Sequence, residues 1–406
     1  MENLKIAWRN LWRNKGRTLI TAAAVFFGVL LSTLMSSMQE GSYSSMVQNV
    51  VQFYSGYLQI QNEDYWEEKT IHNTFIPPDS IIQSVQSIKG ITNLAPRLES
   101  FALASSEEIT RGTILFGIDP EKENEITNVG RWMSDGAYLE SGDNGVLVAS
   151  DLAKYLGVSV DDTLVLLGQG FHGVSAAGKY PVKGLIKLPN PNLNRQIIYM
   201  DIGLCQEFFT AENLITALIV MIEDPYDLHR VHKLMNETIS SPFSVMTWEE
   251  MQPELVQMIE ADRAGAVMMK GILYIIIGFG ILGTITMMLS ERLREMGVII
   301  AIGMQRLQLG IIMFFETVLI GLIGVLAGFA VSIPVISALY NNPIKLTGDA
   351  AETMIDMGIE PLMYFSWLPS VFYNQVLTVF IITVCIGIMP LLRVARLSVS
   401  KALRAH

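Results

Sequence analysis

The densest group of residues that could do chemistry lies between positions 290 and 310. Two acidic and two basic residues lie within two helical turns, and two glycines and several apolar residues follow them. A short helix that carries both charged and exposed apolar side chains is suited to docking into another protein. The alternative is a solvated connection between two hydrophobic segments. The residues of interest are Glu291, Arg292, Arg294, Glu295, Gly297 and Gly303.

Two glycine-rich segments resemble nucleotide-binding motifs in spacing only. Residues 168–173 have the GxGxxG spacing, and residues 173–179 almost form a phosphate-binding loop. Both motifs require a helix after the glycines, so that phosphate meets the helix N-terminus. Here a strand-like run follows, and Tyr180 stands where a magnesium-binding Ser or Thr is needed. The pattern predicts a glycine-rich hairpin.

No other arrangement in the sequence indicates catalysis. The five histidines lack the spacing of metal ligands, and no Ser-His-Asp or Cys-His set stands out. We therefore expect no catalytic, cofactor or metal site in this chain, and no nucleic-acid partner, because the pI is about 5.0.

Four hydrophobic segments are long enough to cross a bilayer, whose apolar core of about 30 Å needs about 20 helical residues. They are residues 18–38, 271–289, 311–336 and 376–392. The sequence therefore predicts a membrane protein with four transmembrane α-helices and a large α+β domain inserted between the first and the second.

Charge distribution predicts the orientation of these spans. Residues 39–270 carry 15 Lys and Arg against 31 Asp and Glu, whereas the flanks of the spans are basic. Because Lys and Arg concentrate in cytoplasmic flanks, both termini are expected inside and the acidic domain outside. The acidic domain is therefore predicted to be extracytoplasmic.

The positions of the four spans also define the remaining segments. Residues 1–17 are predicted to form an interfacial helix with Leu4, Trp8, Leu11 and Trp12 on one face, and the alternative is a continuous basic extension of the first span. The further predictions are a periplasmic domain at 39–270 with an outer subdomain at about 140–210, a cytoplasmic loop at 290–310, an outer loop at 337–375 and a cytoplasmic tail at 393–406.

Periodicity within the periplasmic segment alternates between strands and helices. Period-two runs such as Tyr57–Gln61 predict strands, and Asp79–Lys89 has helical spacing. The last predicted helix, from Thr247 to about Ala264, leads into the second span with little break. A helix of this kind could carry motion between the two regions.

Polar and small residues within the spans are the next candidates. Glu316 is an intramembrane acid, which is costly and therefore a functional candidate, although it also lies close enough to the interface to reach it. Gly278 and Gly283 in the second span, and Gly324 and Gly328 in the third, have spacings that permit close helix packing.

The segment from Glu291 to Met304 resembles the signature of the FtsX/MacB superfamily of ABC-transporter permeases. Glu316 matches the family's glutamate in the third span, residues 9–21 resemble its start and residues 390–396 its end. The usual Asp-Pro after that end is replaced here by Ser398 and Val399. The resemblance implies that segment 290–310 is a coupling loop that docks on a separate cytoplasmic ATPase, which binds ATP and magnesium.

Within the family, the length and the segment 146–166 look most like the lipoprotein-releasing permeases. That likeness implies a second permease subunit, contact with membrane lipids, a lipoprotein substrate and a soluble carrier. The segment Pro189, Asn190, Pro191 and Asn192 is a candidate carrier-contact loop, with an ordinary hairpin as the alternative. Two other functions stay open: efflux of peptides, antibiotics or other amphiphiles with an adaptor, and mechanical regulation of a cell-wall hydrolase.

Overall fold

The architecture is that of a computed structural model, which describes residues 2–13, 15–106, 109–356 and 361–396. It divides into two compact units. The membrane unit comprises Met1–Ser45, Met258–Lys345 and Leu362–His406, and the sheet unit comprises Met46–Gln257 and Leu346–Pro361. Ser398 and Val399, at the predicted end of the family pattern, lie outside the described residues.

The helices follow in chain order. They are α1 Glu2–Arg13, α2 Lys15–Val50, α3 Tyr65–Glu68, α4 Asp79–Gln86, α5 Pro120–Thr127, α6 Ser150–Leu156, α7 Pro191–Asn194, α8 Ile202–Phe209, α9 Leu228–Thr238, α10 Trp248–Met251, α11 Pro253–Glu291, α12 Leu293–Ala301, α13 Arg306–Asn341, α14 Asp349–Asp356 and α15 Pro369–Ala395.

The strands also follow in chain order. They are β1 Leu58–Asn62, β2 Ile91–Ser106, β3 Ile109–Ile118, β4 Met133–Gly136, β5 Val146–Ala149, β6 Thr163–Gln169, β7 Ser175–Ile186, β8 Ile197–Asp201, β9 Ala217–Ile222, β10 Phe243–Thr247, β11 Ile344–Lys345 and β12 Leu362–Met363.

Within the described residues, four helices are long and apolar enough to cross a membrane: Thr18–Ser55, Pro253–Glu291, Arg306–Asn341 and Pro369–Ala395. Strands lie between the first and the second of them. The predicted fold class, four transmembrane helices with a large α+β domain inserted after the first, is therefore confirmed.

The membrane unit is a helical bundle with one apolar core. Val25 of α2, Ile281 of α11, Ile320 of α13 and Val379 of α15 are all fully buried in it. Helix α1 packs against α13 and buries Ala7 and Leu11. Of the four residues predicted to share its interfacial face, Leu4, Trp8 and Trp12 are exposed whereas Leu11 is buried.

The glycines of the third span lie where two helices pack closely. A Cβ on Gly324 would lie 2.6 Å from the carbonyl oxygen of Ala22, and one on Gly328 would lie 2.9 Å from that of Phe26. The α13 glycines therefore let the backbone of α2 approach, as small residues do in membrane helix pairs.

The glycines of the second span behave differently. A Cβ on Gly278 would meet Ile382 and Ile386 of α15 at 3.8 Å, which is ordinary contact. A Cβ on Gly283 would meet nothing within 4 Å. Helix packing at Gly283 therefore stays a prediction, because no described residue of this chain covers that face of α11.

The sheet unit is built around β2, a 16-residue strand. Its first half pairs with β9, continuing an antiparallel sheet in the order β10, β1, β9, β2. Its second half pairs with β6, while β3 lies along its other edge. The pairs β3–β8, β8–β5, β5–β7 and β7–β6 then close a ring of strands. One strand therefore belongs to both the open sheet and the ring.

Each part of the sheet unit has its own core. The ring encloses residues such as Leu115, Leu147 and Ile198, all fully buried. The open sheet buries Leu58 and Ile60 against Val231 of α9. Because β2 contributes strand residues to both parts, the two cores belong to the same unit.

Of two local structures predicted from sequence patterns, one is formed as predicted and the other differs in detail. The glycine-rich segment 168–173 forms the end of the antiparallel β6–β7 hairpin, as predicted. The helix predicted from Thr247 to Ala264 is instead divided at Gln252, because a residue before proline is disfavoured in the helical conformation. From Pro253 the helix runs unbroken to Glu291.

Replacing Gly324 by Ala should destabilise the membrane unit, because the added methyl group collides with the α2 backbone. Overpacking of this kind typically costs about 1–3 kcal/mol. Thermal unfolding of the full chain in detergent measures the effect, and Gly283→Ala is the matched control. Equal unfolding temperatures for the two variants would contradict the close α2–α13 packing.

Candidate functional site

The predicted coupling segment forms a separate short helix between two spans. Helix α11 ends at Glu291, and Arg292 has non-helical backbone angles (φ −95°, ψ 4°). Helix α12 then runs from Leu293 to Ala301. Gly303 has φ +113°, a conformation that side chains other than glycine rarely adopt, and α13 begins at Arg306. The backbone conformation at each end of α12 therefore depends on a single residue, Arg292 before the helix and Gly303 after it.

Arg292 directs its side chain back into the bundle. Its Nη1 atom donates to both carboxylate oxygens of Glu316, at 2.7 Å and 2.9 Å. The side chains are only 6% and 2% exposed. The intramembrane glutamate and the second charged residue of the coupling segment, 24 positions apart in sequence, thus form one buried ion pair.

The depth of Glu316 explains why this ion pair matters. Glu316 lies five residues after the start of the span predicted at 311–336, which corresponds to about 8 Å along the helix. An unpaired carboxylate at that depth would be costly, and removing one member of a buried ion pair typically costs about 3–5 kcal/mol. Arg292 therefore neutralises Glu316 and, in doing so, fixes the backbone position at which α12 begins.

Helix α1 also contacts this region. Asn10 of α1 lies close to the carboxylate of Glu316. At the surface, Nη2 of Arg13 lies 3.3 Å from Oε2 of Glu295 on α12. The second contact is exposed and therefore weak, worth about 0–1 kcal/mol. Together these contacts join α1, α12 and α13 into one assembly.

The face of α12 that points away from the bundle is apolar. Met296 and Gly297 are buried against the membrane core, whereas Val298, Ile299 and Ile302 are exposed, Ile302 to 82%. The charged residues Arg294, Glu295 and Arg306, before and after them in the sequence, are exposed as well. An apolar patch with a charged rim is typical of a protein interaction site.

The carrier-contact candidate has a structure that its sequence did not predict. Asn190 caps the short helix α7, accepting from the backbone N–H groups of Asn192 and Leu193. The side chain of Asn194 is buried and accepts from the Leu188 N–H. Because β7 and β8 both pair with β5, the segment is not a hairpin between neighbouring strands.

The positions of the candidate residues decide how accessible that segment is. Asn192 is exposed, whereas Pro189, Asn190 and Pro191 are half-buried. The segment is a compact turn rather than an extended projection. Contact between this segment and a carrier stays a prediction.

Sequence reasoning identified Arg292 and Glu316 separately and missed their ion pair. It also missed Asn10, which belongs to the interfacial helix. A buried acid in a span requires a partner, so a basic residue at the adjacent loop was the available signal. Among the described residues, no group of three or more His, Cys, Asp or Glu side chains is arranged to hold a metal ion.

Two family models match the chain. One, described as the MacB-like periplasmic core domain, matches residues 18–238, which is more than half of the chain. The other, described as the FtsX-like permease C-terminal domain, matches residues 267–399 and so contains α12 and Glu316.

Two curated relatives are similar to part of the chain. The lipoprotein-releasing system transmembrane protein LolC of Xylella fastidiosa strain 9a5c is 21% identical over 245 residues. The protein of the same name from strain Temecula1 is 20% identical over 245 residues. Each alignment covers 59% of this chain and 59% of the relative.

Two solved structures are also similar. The extracellular domain of the noncanonic ABC-type transporter YknZ from Gram-positive bacteria is 14% identical, with a TM-score of 0.33, and the match covers 47% of this chain and 99% of that domain. The periplasmic region of MacB from Actinobacillus actinomycetemcomitans is 13% identical, with a TM-score of 0.36, covering 53% and 98%.

Replacing Arg292 by Met should lower the free energy of unfolding by about 3–5 kcal/mol, because Glu316 is left charged and unpaired. The double variant Arg292→Met/Glu316→Met should recover most of that loss, since no buried charge remains. Thermal unfolding of the purified chain in detergent tests both. If the single variant is as stable as the double variant, the buried ion pair is not formed.

Proposed function

Because the chain belongs to the FtsX/MacB family of ABC transporter permeases, we propose that α12 is the helix through which a separate ABC ATPase acts on it. The observation that carries this proposal is the exposed apolar face of Val298, Ile299 and Ile302, held in position by the buried Arg292–Glu316 ion pair. Family membership implies the ATPase partner, and the patch supplies a surface for it.

The anchoring of α12 suits the transmission of force. A docked ATPase that moves α12 displaces the ends of α11 and α13, because Arg292 links the first to Glu316 of the second. A flexible connection would absorb the same movement. The ATP and magnesium are bound by the ATPase, and this chain contributes the docking helix and the moving spans.

The basic flanks of the spans support the orientation of the site. Arg13, Arg292 and Arg306 cluster at the α12 end of the bundle, which the positive-inside rule assigns to the cytoplasm. An ATPase that uses cytoplasmic ATP can reach α12 only on that side. The sheet unit then lies in the periplasm of a bacterium, and the chain in its inner membrane.

For the substrate, we propose lipoproteins that are extracted from the membrane and passed to a periplasmic carrier. The similarity to LolC, whose name denotes a lipoprotein-releasing system, supports this class. A second permease subunit, identical or related, would pair with this chain. The chain spans only 59% of the length of these relatives in alignment, so the substrate class rests on partial similarity.

The double variant Val298→Asp/Ile302→Asp should lose the ATPase partner while keeping its fold, because both side chains are exposed and unpacked. Two charges in a desolvated apolar interface should weaken binding at least about a hundredfold. Co-purification from native membranes and ATPase activity of the eluate measure this loss.

The control is Ile76→Asp, since Ile76 is a 62% exposed apolar residue in the sheet unit. It should retain the ATPase. Full retention of the ATPase by the α12 variant would show that another surface carries the docking.

Depletion of the chain from its native cells should leave lipoproteins in the inner membrane. Separation of the two membranes, followed by mass spectrometry of acylated proteins, measures their distribution. Restoring the wild-type chain should reverse the retention, and the Val298→Asp/Ile302→Asp variant should not. An unchanged lipoprotein distribution with increased sensitivity to amphiphilic antibiotics would instead support efflux.

A further inference from the structure

Helix α2 continues far beyond the residues that cross the membrane. After the span predicted at 18–38, α2 runs to Val50 and continues as a π-helical turn from Val51 to Ser55. These 17 additional residues extend about 25 Å at the usual rise per residue. The last part, from residue 46, belongs to the sheet unit. The membrane span and part of the sheet unit are therefore one continuous helix.

The π-turn leaves backbone carbonyl groups that the helix cannot satisfy. Gly56 donates its N–H to the carbonyl of Val51 at 2.8 Å, which closes the wide turn. The carbonyls of Tyr54 and Ser55 lie beyond that bond, at the helix end where acceptors lack partners. Gln59 donates its side-chain amide to the Ser55 carbonyl at 2.8 Å.

Arg97 of β2 satisfies the other carbonyl. Its Nη1 atom donates to the carbonyl oxygen of Tyr54, and its Nη2 atom donates to Oε1 of Glu123 on α5 at 2.6 Å. Arg97 and Glu123 are 2% and 0% exposed. One buried guanidinium therefore connects the end of α2, the central strand β2 and helix α5.

Further contacts hold the same turn from two sides. The side-chain amide of Gln52 donates to the carbonyl of Thr127, at the end of α5, at 3.1 Å. The Tyr54 hydroxyl donates to Glu99 of β2 at 3.2 Å. Burial, followed by the charge of Glu99, raises the pKa of Tyr54, so its hydroxyl keeps the proton that it donates.

Stability alone does not account for the Arg97–Glu123 pair. Apolar residues of similar volume often replace a buried ion pair without loss of stability. Moreover, Nε of Arg97 and Oε2 of Glu123 have no hydrogen-bond partner among the described residues, so the pair is only partly satisfied. What apolar residues cannot supply is a donor for the Tyr54 carbonyl.

We propose that Arg97, held by Glu123, is the positioning residue that fastens the end of α2 to β2, so that movement of the first span is passed on to the strands of the sheet unit. The inference rests on the proposed function, since ATP-driven movement of the spans is its source of force. Rigid elements with fixed ends carry coupling between distant sites. Because β2 belongs to both the open sheet and the ring, a displacement at Arg97 reaches both.

The test uses the full chain in lipid nanodiscs with its co-purified ATPase. The variant Arg97→Met/Glu123→Met removes both charges and the donor but keeps apolar volume, so that the fold survives. Arg97→Lys retains the charge and serves as the conservative variant. The control is the same double substitution at an exposed pair of the sheet unit, Arg230→Met/Asp227→Met.

Hydrogen exchange read by mass spectrometry reports two properties of each protein. Without ATP, the amides of residues 51–57 should exchange on the order of tenfold faster in the Arg97→Met/Glu123→Met variant, because a charge-assisted hydrogen bond is lost. Strands β5 and β8 should be unchanged. With Mg-ATP, the nucleotide-dependent exchange changes in the sheet unit should disappear in that variant, although ATP hydrolysis continues. Arg97→Lys should restore part of them.

The outcomes separate this inference from the proposed function. Unchanged exchange at residues 51–57, or nucleotide-dependent changes that persist in the double variant, would overturn the role of Arg97. A wild-type chain that shows no ATPase or no nucleotide-dependent change would contradict the proposed function itself, and with it the transmission that Arg97 is proposed to serve. Loss of those changes in the Arg230→Met/Asp227→Met control as well would also overturn a specific role for Arg97.

Discussion

The ion pair between Arg292 and Glu316 is the interaction on which the membrane end of this molecule depends. A carboxylate inside a span is tolerated only when its charge is balanced, and the balancing arginine lies at the break between two helices. The need to balance the charge of Glu316 therefore also determines the start of α12, because α12 begins where Arg292 can reach Glu316. The apolar face of α12 owes its orientation to this contact, and α1 adds Asn10 and Arg13 to the same group.

A similar solution occurs where α2 ends, at the π-helical turn Val51–Ser55. There a buried arginine serves a backbone carbonyl that a π-turn leaves without a partner, and a glutamate on α5 balances its charge. In both places an arginine fixes the end of a helix by contacts to an element distant in sequence. Guanidinium groups suit this role because they present several donors in a rigid plane.

Much of this arrangement was predictable from the sequence where the information is local. The four spans follow from runs of apolar residues, the α12 segment from its charges and glycines, and the β6–β7 hairpin from the residues that follow its glycines. The closure of the strand ring was not predictable, because β2–β6 pairing joins positions far apart in sequence. The Arg292–Glu316 contact and the covered face of each glycine-containing helix, as at Gly283, depend on tertiary packing that spacing does not encode.

The sharing of β2 between the ring and the open sheet has a consequence for how such domains diversify. A module that is bounded by its own strands can be exchanged between homologues by recombination, or in the laboratory by chimera construction. If residues 146–201 alone were transferred into a homologue, the ring would combine the transferred strands β5–β8 with β2 and β3 of the recipient. The smallest exchangeable unit therefore runs from β1 to β10, and variation within it should accumulate in connections such as 170–174 and 189–194 rather than by replacement of the ring.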